Sequence, residues 1–254
     1  MSEFSLVDRI ICAASSAWKD DGEVLATGIG IVPRLAASIS MLSSNPDLMM
    51  TDSEAWLVSE PVPIGPRDGY EPRREGWMGF THIFDNVWCG KRHAMVGPTQ
   101  IDRFGQANIS MIGGDYQKPK SMMLGVRGFP GNSMNHANSF FVPKHSTKVF
   151  VSGEVDMVAS AGYNPGRLAR GWSLDDIDVR MIFTNLAVID FGGPQRQARL
   201  CLVHPGVTVA QVQEATGFEL HVPAEVPQTS APTEAQLALL ARLDPHNLRA
   251  SVLN

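Results

Sequence analysis

The sequence predicts an α/β fold, an open and mostly parallel sheet covered by helices on both faces. Three observations carry this expectation. First, "GEVLATGIGIV" reads as a strand running into a glycine turn, "PRLAASISMLSSN" has helical spacing, and "PDLMMT" opens another strand. That succession favours parallel strands joined by crossovers. Second, among the later apolar runs "SMMLGV", "TKVFV", "VRMIF", "LAVIDF" and "ARLCLV", several are continuously rather than alternately apolar, as strands covered on both faces are. Third, 254 residues suit one large domain, because single cores stop growing at about 250–300 residues.

A first helix is expected from Leu6, Ile10, Ile11, Ala14 and Trp18, which recur at helical spacing after a capping Ser5. Pro33 suits the first turn of the second helix. Near the C-terminus, "TVAQVQEATG" offers a Thr208/Gln211 capping box closing at Gly217, and "TEAQLALLARL" offers the same with Thr233 and Gln236. Residues 58–76, with four prolines and mixed charge, read as an irregular excursion: a lid, a subunit contact or a solvated loop. Residues 161–178 read as a second one, and 223–254 as a linker and final helix. The whole of 1–254 is expected to form a single domain.

Composition excludes several classes of function. Hydrophobic residues make up 44% and charged residues 19%, a globular balance. The net charge is -5 with scattered Lys and Arg, so no basic face recommends itself to a nucleic-acid backbone. Cys12, Cys89 and Cys201 lie far apart without CxxC spacing, which argues against disulfides and zinc and makes each a small buried apolar residue. No run approaches the roughly 18 apolar residues of a membrane span, and "MSEFSLVDRI" has no apolar leader, so a cytoplasmic protein without membrane contact is expected. Histidines 82, 93, 145, 204, 221 and 246 lack ligand spacing, and no metal is expected.

Four stretches carry candidate chemistry. "DLMMTDSEAWLVSE" places Glu54 directly after an apolar run, where α/β proteins often display reactive groups. "ATGIGIVPRLAA" puts Gly28 and Gly30 between a strand and a helix, so that backbone N–H groups there can hold an anion or oxyanion; the alternative is a turn chosen for packing. It fails as a dinucleotide fingerprint, because Pro33 takes the third glycine's place. "GPTQIDRFGQANIS" presents Gln100 and Asn108 from one short excursion. "GVRGFPGNSMNHANSFF" gathers Asn132, Ser133, Asn135 and His136, of which His136 suits a general acid or base or, equally, a structural histidine. A Ser133/His136 nucleophile pair would lack a G-x-S-x-G elbow.

Together and in this order these segments resemble the β half of class I coenzyme A transferases. "VRMIFTNLAVIDF" followed by "LCLVHPGVTVAQVQEATGFELHVP" is similar to the family's run of strand, strand, H-P-G-V-T, helix and T-G-F. "GIGIVP" resembles its glycine loop near the bound thioester, "GPTQIDRFGQANIS" its G-x-x-Q-V-D-x-x-G-x-x-N segment, and "DSEAWLV" stands where it has S-E-N-G. By that resemblance Glu54 matches the glutamate that attacks acyl-CoA and carries the glutamyl-CoA thioester. Here Ala55 and Trp56 replace the Asn and Gly that follow it, and Asn135 replaces the aspartate of G-G-A-M-D.

"EGWMGFTHIFDNVWCGKRH", "GVRGFPGNSMNHANSFF" and "FTNLAVIDFGGP" resemble a narrower branch, the IpdB-type subunits of steroid-ring-cleaving hydrolases. That likeness implies retro-Claisen opening of the last steroid ring of a CoA thioester by water, an α2β2 assembly with an IpdA-like α subunit whose glutamate is the principal base, and no bound cofactor, coenzyme A being part of the substrate. Under it, Glu54, Asn135 and His136 are the catalytic candidates, and Gly28, Gly30, Trp56, Gln100, Asn108 and Asn132 the substrate or CoA contacts. Two other readings stay open: a true transferase with Glu54 as nucleophile, and a non-catalytic partner subunit.

Overall fold

The computed structural model describes residues 4–253; the first three residues of "MSEFSLVDRI" and Asn254 lie outside them. The chain forms two compact units, Met1–Val96 with Ser230–Asn254, and Gly97–Thr229.

In the first unit, α1 (Leu6–Ala14) begins at Ser5, which makes a reciprocal capping box with Asp8. Trp18 follows in a short 3-10 turn, wholly buried, with its indole N–H donating to the His93 carbonyl. β1 (Leu25–Gly28) leads into α2 (Ile31–Leu42), whose inner face is Val32, Leu35, Ala36 and Ile39. A turn later Met49 bridges Leu25 in parallel, so the predicted crossover is present. The chain then departs from a simple repeat: β2 (Met50–Thr51), β3 (Trp56–Val58) and β4 (Arg74–Trp77) form an antiparallel meander. α3 (Phe80–Trp88) buries only Val87 and leaves Phe80, Phe84 and Trp88 exposed, before β5 (Arg92–Val96) pairs with β1 in parallel. The C-terminal helix, Glu234–Leu243, starts from the predicted Thr233/Gln236 box. Beyond it Arg249 pairs with Asp8 and Asp244, tying the C-terminal turn to α1.

In the second unit, β6 (Gln100–Ile101) and β7 (Ala107–Asn108) make one hairpin, and β8 (Met111–Ile112) and β9 (Ser121–Met122) another. α4 (Phe129–Asn135) precedes β10 (Ala137–Val142), every residue of which is buried. β10 pairs with β11 (Val179–Thr184) in parallel. β12 (Ala187–Asp190) and β13 (Arg199–Val203) complete the unit's larger sheet, and α5 (Val209–Glu214) carries the predicted Thr208/Gln211 box.

The fold class is therefore α/β, with parallel pairing at β1–β5 and β10–β11. Four local expectations need correction. The β11–β12–β13 run is antiparallel, because only Asn185 and Leu186 separate β11 from β12, too few for a crossover of a dozen or more residues. "SMMLGV" yields only β9, with Met122 and Leu124 left on the surface. "TKVFV" is a turn: the Ser146 carbonyl accepts the N–H groups of Val149 and Phe150, leaving a single bridge from Phe150 to Ile101. Cys89, capping the exposed helix α3, is itself exposed; Cys12 is buried and Cys201 half-buried.

The motif residues of "HPGVT" and "TGF" are held by packing. His204 spans the Thr184 carbonyl and the Thr229 hydroxyl, and His145 spans the hydroxyls of Thr184 and Thr216 while stacking on Phe150. A Cβ on Gly217 would stand 2.4 Å from the Phe150 carbonyl oxygen, so only glycine fits there.

Candidate active site

Glu54 sits in the turn between β2 and β3, and Asp52 builds that turn. The Asp52 side chain is wholly buried, and its Oδ1 accepts the backbone N–H groups of Glu54 at 3.1 Å and Trp56 at 3.3 Å. Its Oδ2 receives Arg74 at 3.0 Å, and its carbonyl receives Arg67 at 3.1 Å. Burial alone would raise the Asp52 carboxyl; the Glu54 N–H, Arg74 and the Trp56 N–H outweigh it and hold the group below the usual carboxylate range. Ser53 takes the left-handed conformation, φ 76°, uncommon for a residue other than glycine. The result exposes Glu54 at the wall of a cavity of about 560 Å³.

Gly28, Gly30, Ile31, Arg34 and Arg92 line the same cavity. Gly28 is required by close approach, since a Cβ would lie 2.5 Å from the Arg34 nitrogen. Gly30 is required by conformation, with φ 103° at the N-cap of α2. No side chain caps this helix, and Pro33 contributes no N–H, so the first-turn donors are those of Ile31 and Val32. Arg34 donates to the Thr51 carbonyl at 3.0 Å and Arg92 to the Thr27 hydroxyl at 2.9 Å, both neutral acceptors. Burial lowers the pKa of each guanidinium; Arg34 is partly restored by Asp52.

Of the predicted residues in this unit, Gly28, Gly30 and Glu54 thus come together. Trp56 does not join them: its ring packs edge-on against Trp77 at 5.3 Å, beneath the Arg74 guanidinium. Asp52, Arg34 and Arg92 are not among the residues expected at the site, although all three lie inside the stretches quoted above.

In the second unit, Gln100 and Asn108 are buried and bonded to the fold itself. Asn108 Nδ2 donates to Gln100 Oε1 and the Met111 carbonyl, while its Oδ1 accepts from Ser110 and Met111. Gln100 donates to Asp156 and accepts its backbone N–H. These amides hold the β6–β9 loops in place. On α4, Asn135 donates to the Gly131 carbonyl and Ser133 to Pro130, the Ser133 oxygen accepting from Ala161. The Ser133 hydroxyl is therefore committed to backbone. Asn132 is half-buried on the same helix, and His136, buried at its C-cap, lies 2.9 Å through Nδ1 from the Ala137 carbonyl. Asn132, Asn135 and His136 thus share one helix end.

An exposed carboxylate, the uncapped start of a helix and two partly desolvated guanidinium groups around one cavity suit a substrate that is anionic or becomes so during reaction. No protein-family model matches the sequence. Among curated proteins, the chain is 38% identical over 245 residues to the cholesterol ring-cleaving hydrolase IpdB subunit of Mycobacterium tuberculosis, covering 94% of this chain and 95% of that one. It is 35% identical over 260 residues to the protein of the same name from Rhodococcus jostii RHA1, covering 98% and 96%. The chain belongs to the IpdB family. The crystal structure of Rhodococcus jostii RHA1 IpdAB superposes over the full length of both chains with a TM-score of 0.91. The wider class I transferase kinship is seen in a 3-oxoadipate CoA-transferase chain of Pseudomonas knackmussii, 30% identical over 250 residues and covering 96% of this chain and 95% of that one. Relative to the S-E-N-G motif of transferases, this IpdB-family chain has a turn built by Asp52 and followed by Ala55 and Trp56.

Proposed function

We propose that this chain is the β subunit of a cytoplasmic hydrolase that opens the last steroid-derived ring of a CoA thioester, working with an IpdA-like α subunit in an α2β2 assembly. The carrying observation is the near-full-length similarity to IpdB subunits named for cholesterol ring cleavage. In the reaction, a carboxylate removes a proton from water, and the water oxygen bonds to the ring ketone carbon. The carbon–carbon bond between that carbon and the α-carbon of the thioester then breaks. Its electron pair becomes a thioester enolate, which a proton quenches at carbon, leaving a new carboxylate. Glu54, exposed in the cavity, supplies or relays a proton, together with the partner's carboxylate. The N–H of Ile31, at the uncapped start of α2, offers a donor to an enolate oxygen. In the second unit, His136 at the end of α4 is the side chain able to transfer a proton, and Asn132 and Asn135 are the amide groups beside it on the same helix end. Coenzyme A belongs to the substrate, and no resident cofactor is needed.

Two observations support a second reading, CoA transfer: Glu54 is exposed in a cavity, and the chain resembles a 3-oxoadipate CoA-transferase. The two readings separate on one experiment. The chain is co-expressed with its α subunit and given a ring-intact steroid-derived acyl-CoA, with and without a free acid acceptor. Ring-opened product without acceptor is expected, and borohydride reduction during turnover should leave the Glu54 peptide unmodified. Strict dependence on the acceptor would overturn the hydrolase.

A further inference from the structure

Arg34 and Arg92 are half-buried in the wall of the Glu54 cavity, and among the described residues neither meets a carboxylate. Their hydrogen bonds go to a carbonyl and a hydroxyl, which satisfy N–H donors without balancing charge. Three other arginines of this unit are paired with carboxylates: Arg73 with Glu60, Arg74 with Asp52, and Arg249 with Asp8 and Asp244. Asp52 lies near enough to Arg34 to raise its pKa, yet its Oδ2 is taken by Arg74 and its Oδ1 by two backbone N–H groups. Among the described residues Glu54 is the one acid lining the cavity, against two guanidinium groups and the uncapped end of α2. A partly desolvated cation without an anion is costly, and a bound anion relieves that cost.

The rest of the wall narrows the choice of anion. Ile29, Ile31, Ile64 and Ile83 make much of it apolar, which suits a hydrocarbon body carrying one charged group better than a polyphosphate. We propose that Arg34 and Arg92 form a seat for a free carboxylate borne by the acyl portion of the substrate, and so select acidic over neutral acyl thioesters. This rests on the ring-cleaving reading above and adds to it a specificity pair in this chain. Each arginine is already oriented, Arg34 by Thr51 and Arg92 by Thr27, so little side-chain freedom is lost on binding.

The test uses the purified α–β complex and two thioesters: a ring-intact acyl-CoA with a free carboxylate, and its methyl ester at that carboxylate. Binding is measured by calorimetry and turnover by product formation, for wild type, Arg92→Gln, Arg34→Gln and the matching lysine variants. The acid should bind wild type at least about tenfold tighter than the ester. Each glutamine variant should erase most of that preference while leaving ester affinity within about twofold, and lysine should restore part of it. Damage to the fold would weaken acid and ester alike, so equal losses for both, or a preference unchanged in both glutamine variants, would overturn the seat. Loss of the acid preference only when the CoA moiety is replaced by pantetheine would assign the charge to phosphate and overturn it too. A wild-type complex that opens neither ring refutes the ring-cleaving reading, whereas one that opens the ring with unaltered selectivity in the variants refutes the seat alone.

Discussion

The Asp52 carboxylate accepts the backbone N–H of Glu54 at 3.1 Å, so a buried acid fixes the peptide that presents an exposed one. The same oxygen takes the Trp56 N–H, closing the β2–β3 turn over Ala55. Asp52→Ala should cost about 2 kcal/mol, the range for leaving polar groups at a buried site without their acceptor, or roughly 4–8 °C in melting temperature. Asp52→Asn keeps an acceptor for both N–H groups and loses the Arg74 ion pair, so its loss should be smaller. Turnover of the α–β complex should fall in the same order. Since folding lowers the Asp52 pKa, the stabilisation is present above the usual carboxylate range and lost as pH falls through the folded value. An Asp52→Ala variant matching wild type in melting temperature and turnover would remove this role.

The glycines of the cavity should separate by mechanism. At Gly28 a Cβ would meet the backbone of Pro33 and Arg34 at 2.5 Å, and backbone cannot swing aside as a side chain tip does. Gly28→Ala should therefore push α2 off β1, at about 2–3 kcal/mol, and weaken binding in the cavity with it. At Gly30 the nearest atom to a Cβ is 3.9 Å away, and the obstacle is φ 103°. Gly30→Ala should cost about 1–3 kcal/mol through backbone strain, with α2 still seated. Thermal denaturation together with amide exchange across α2 distinguishes the two. Protection of α2 lost in Gly28→Ala and kept in Gly30→Ala is the expected pattern.

What the sequence made legible follows from the range of the forces involved. Capping boxes at Thr208 and Thr233 are local chemistry, and both form as written. The strand–helix–strand start is equally local, and Met49 does lie parallel to Leu25. Apolarity alone misled at "TKVFV", where the Ser146 carbonyl captured the N–H groups a strand would have used. The two-residue gap between Thr184 and Ala187 is a hairpin signal masked by the apolar runs around it. At the site, Gly28, Gly30 and Glu54 are legible because glycines and a lone acid stand out in a motif. Arg34 looks like an ordinary helix residue and Arg92 like an ordinary strand end; their shared burial in one cavity depends on three-dimensional proximity across more than fifty positions of sequence. Asp52 is hidden because its turn-building bonds to Glu54 and Trp56 depend on a buried carboxylate held by Arg74 from a distant strand.

His145 sets an acid limit on stability. It is buried, stacked on Phe150, and hydrogen-bonded through both ring nitrogens to Thr184 and Thr216, and burial lowers its pKa to about 4. The unfolded chain binds a proton there near pH 6.5, whereas the folded chain binds it only near 4. The stabilisation is thus full above about pH 6.5 and lost progressively as pH falls towards 4, by on the order of 3 kcal/mol. Urea unfolding at a series of pH values should show this decline, and His145→Gln should flatten it between those limits. An equal slope in wild type and variant would show that other groups carry the acid sensitivity.

Thiol chemistry should single out Cys89. Burial, followed by the nearby Asp8, pushes the Cys12 thiol up to about 12; burial, followed by Asp190, does the same to Cys201. The thiolate is the nucleophile, so at pH 8 both are almost entirely in the unreactive form. Cys89 stands exposed at the C-cap of α3, beside an exposed Trp88. Native protein treated with iodoacetamide at pH 8 should therefore lose one thiol, and peptide mapping should place the label on Cys89. After denaturation all three should react, since the barrier at Cys12 and Cys201 belongs to the fold. Cys89→Ser should leave the native protein inert to the reagent over the same period. Labelling of Cys12 or Cys201 at a rate comparable to Cys89 would mean that α1 or β13 opens far more readily than its packing implies.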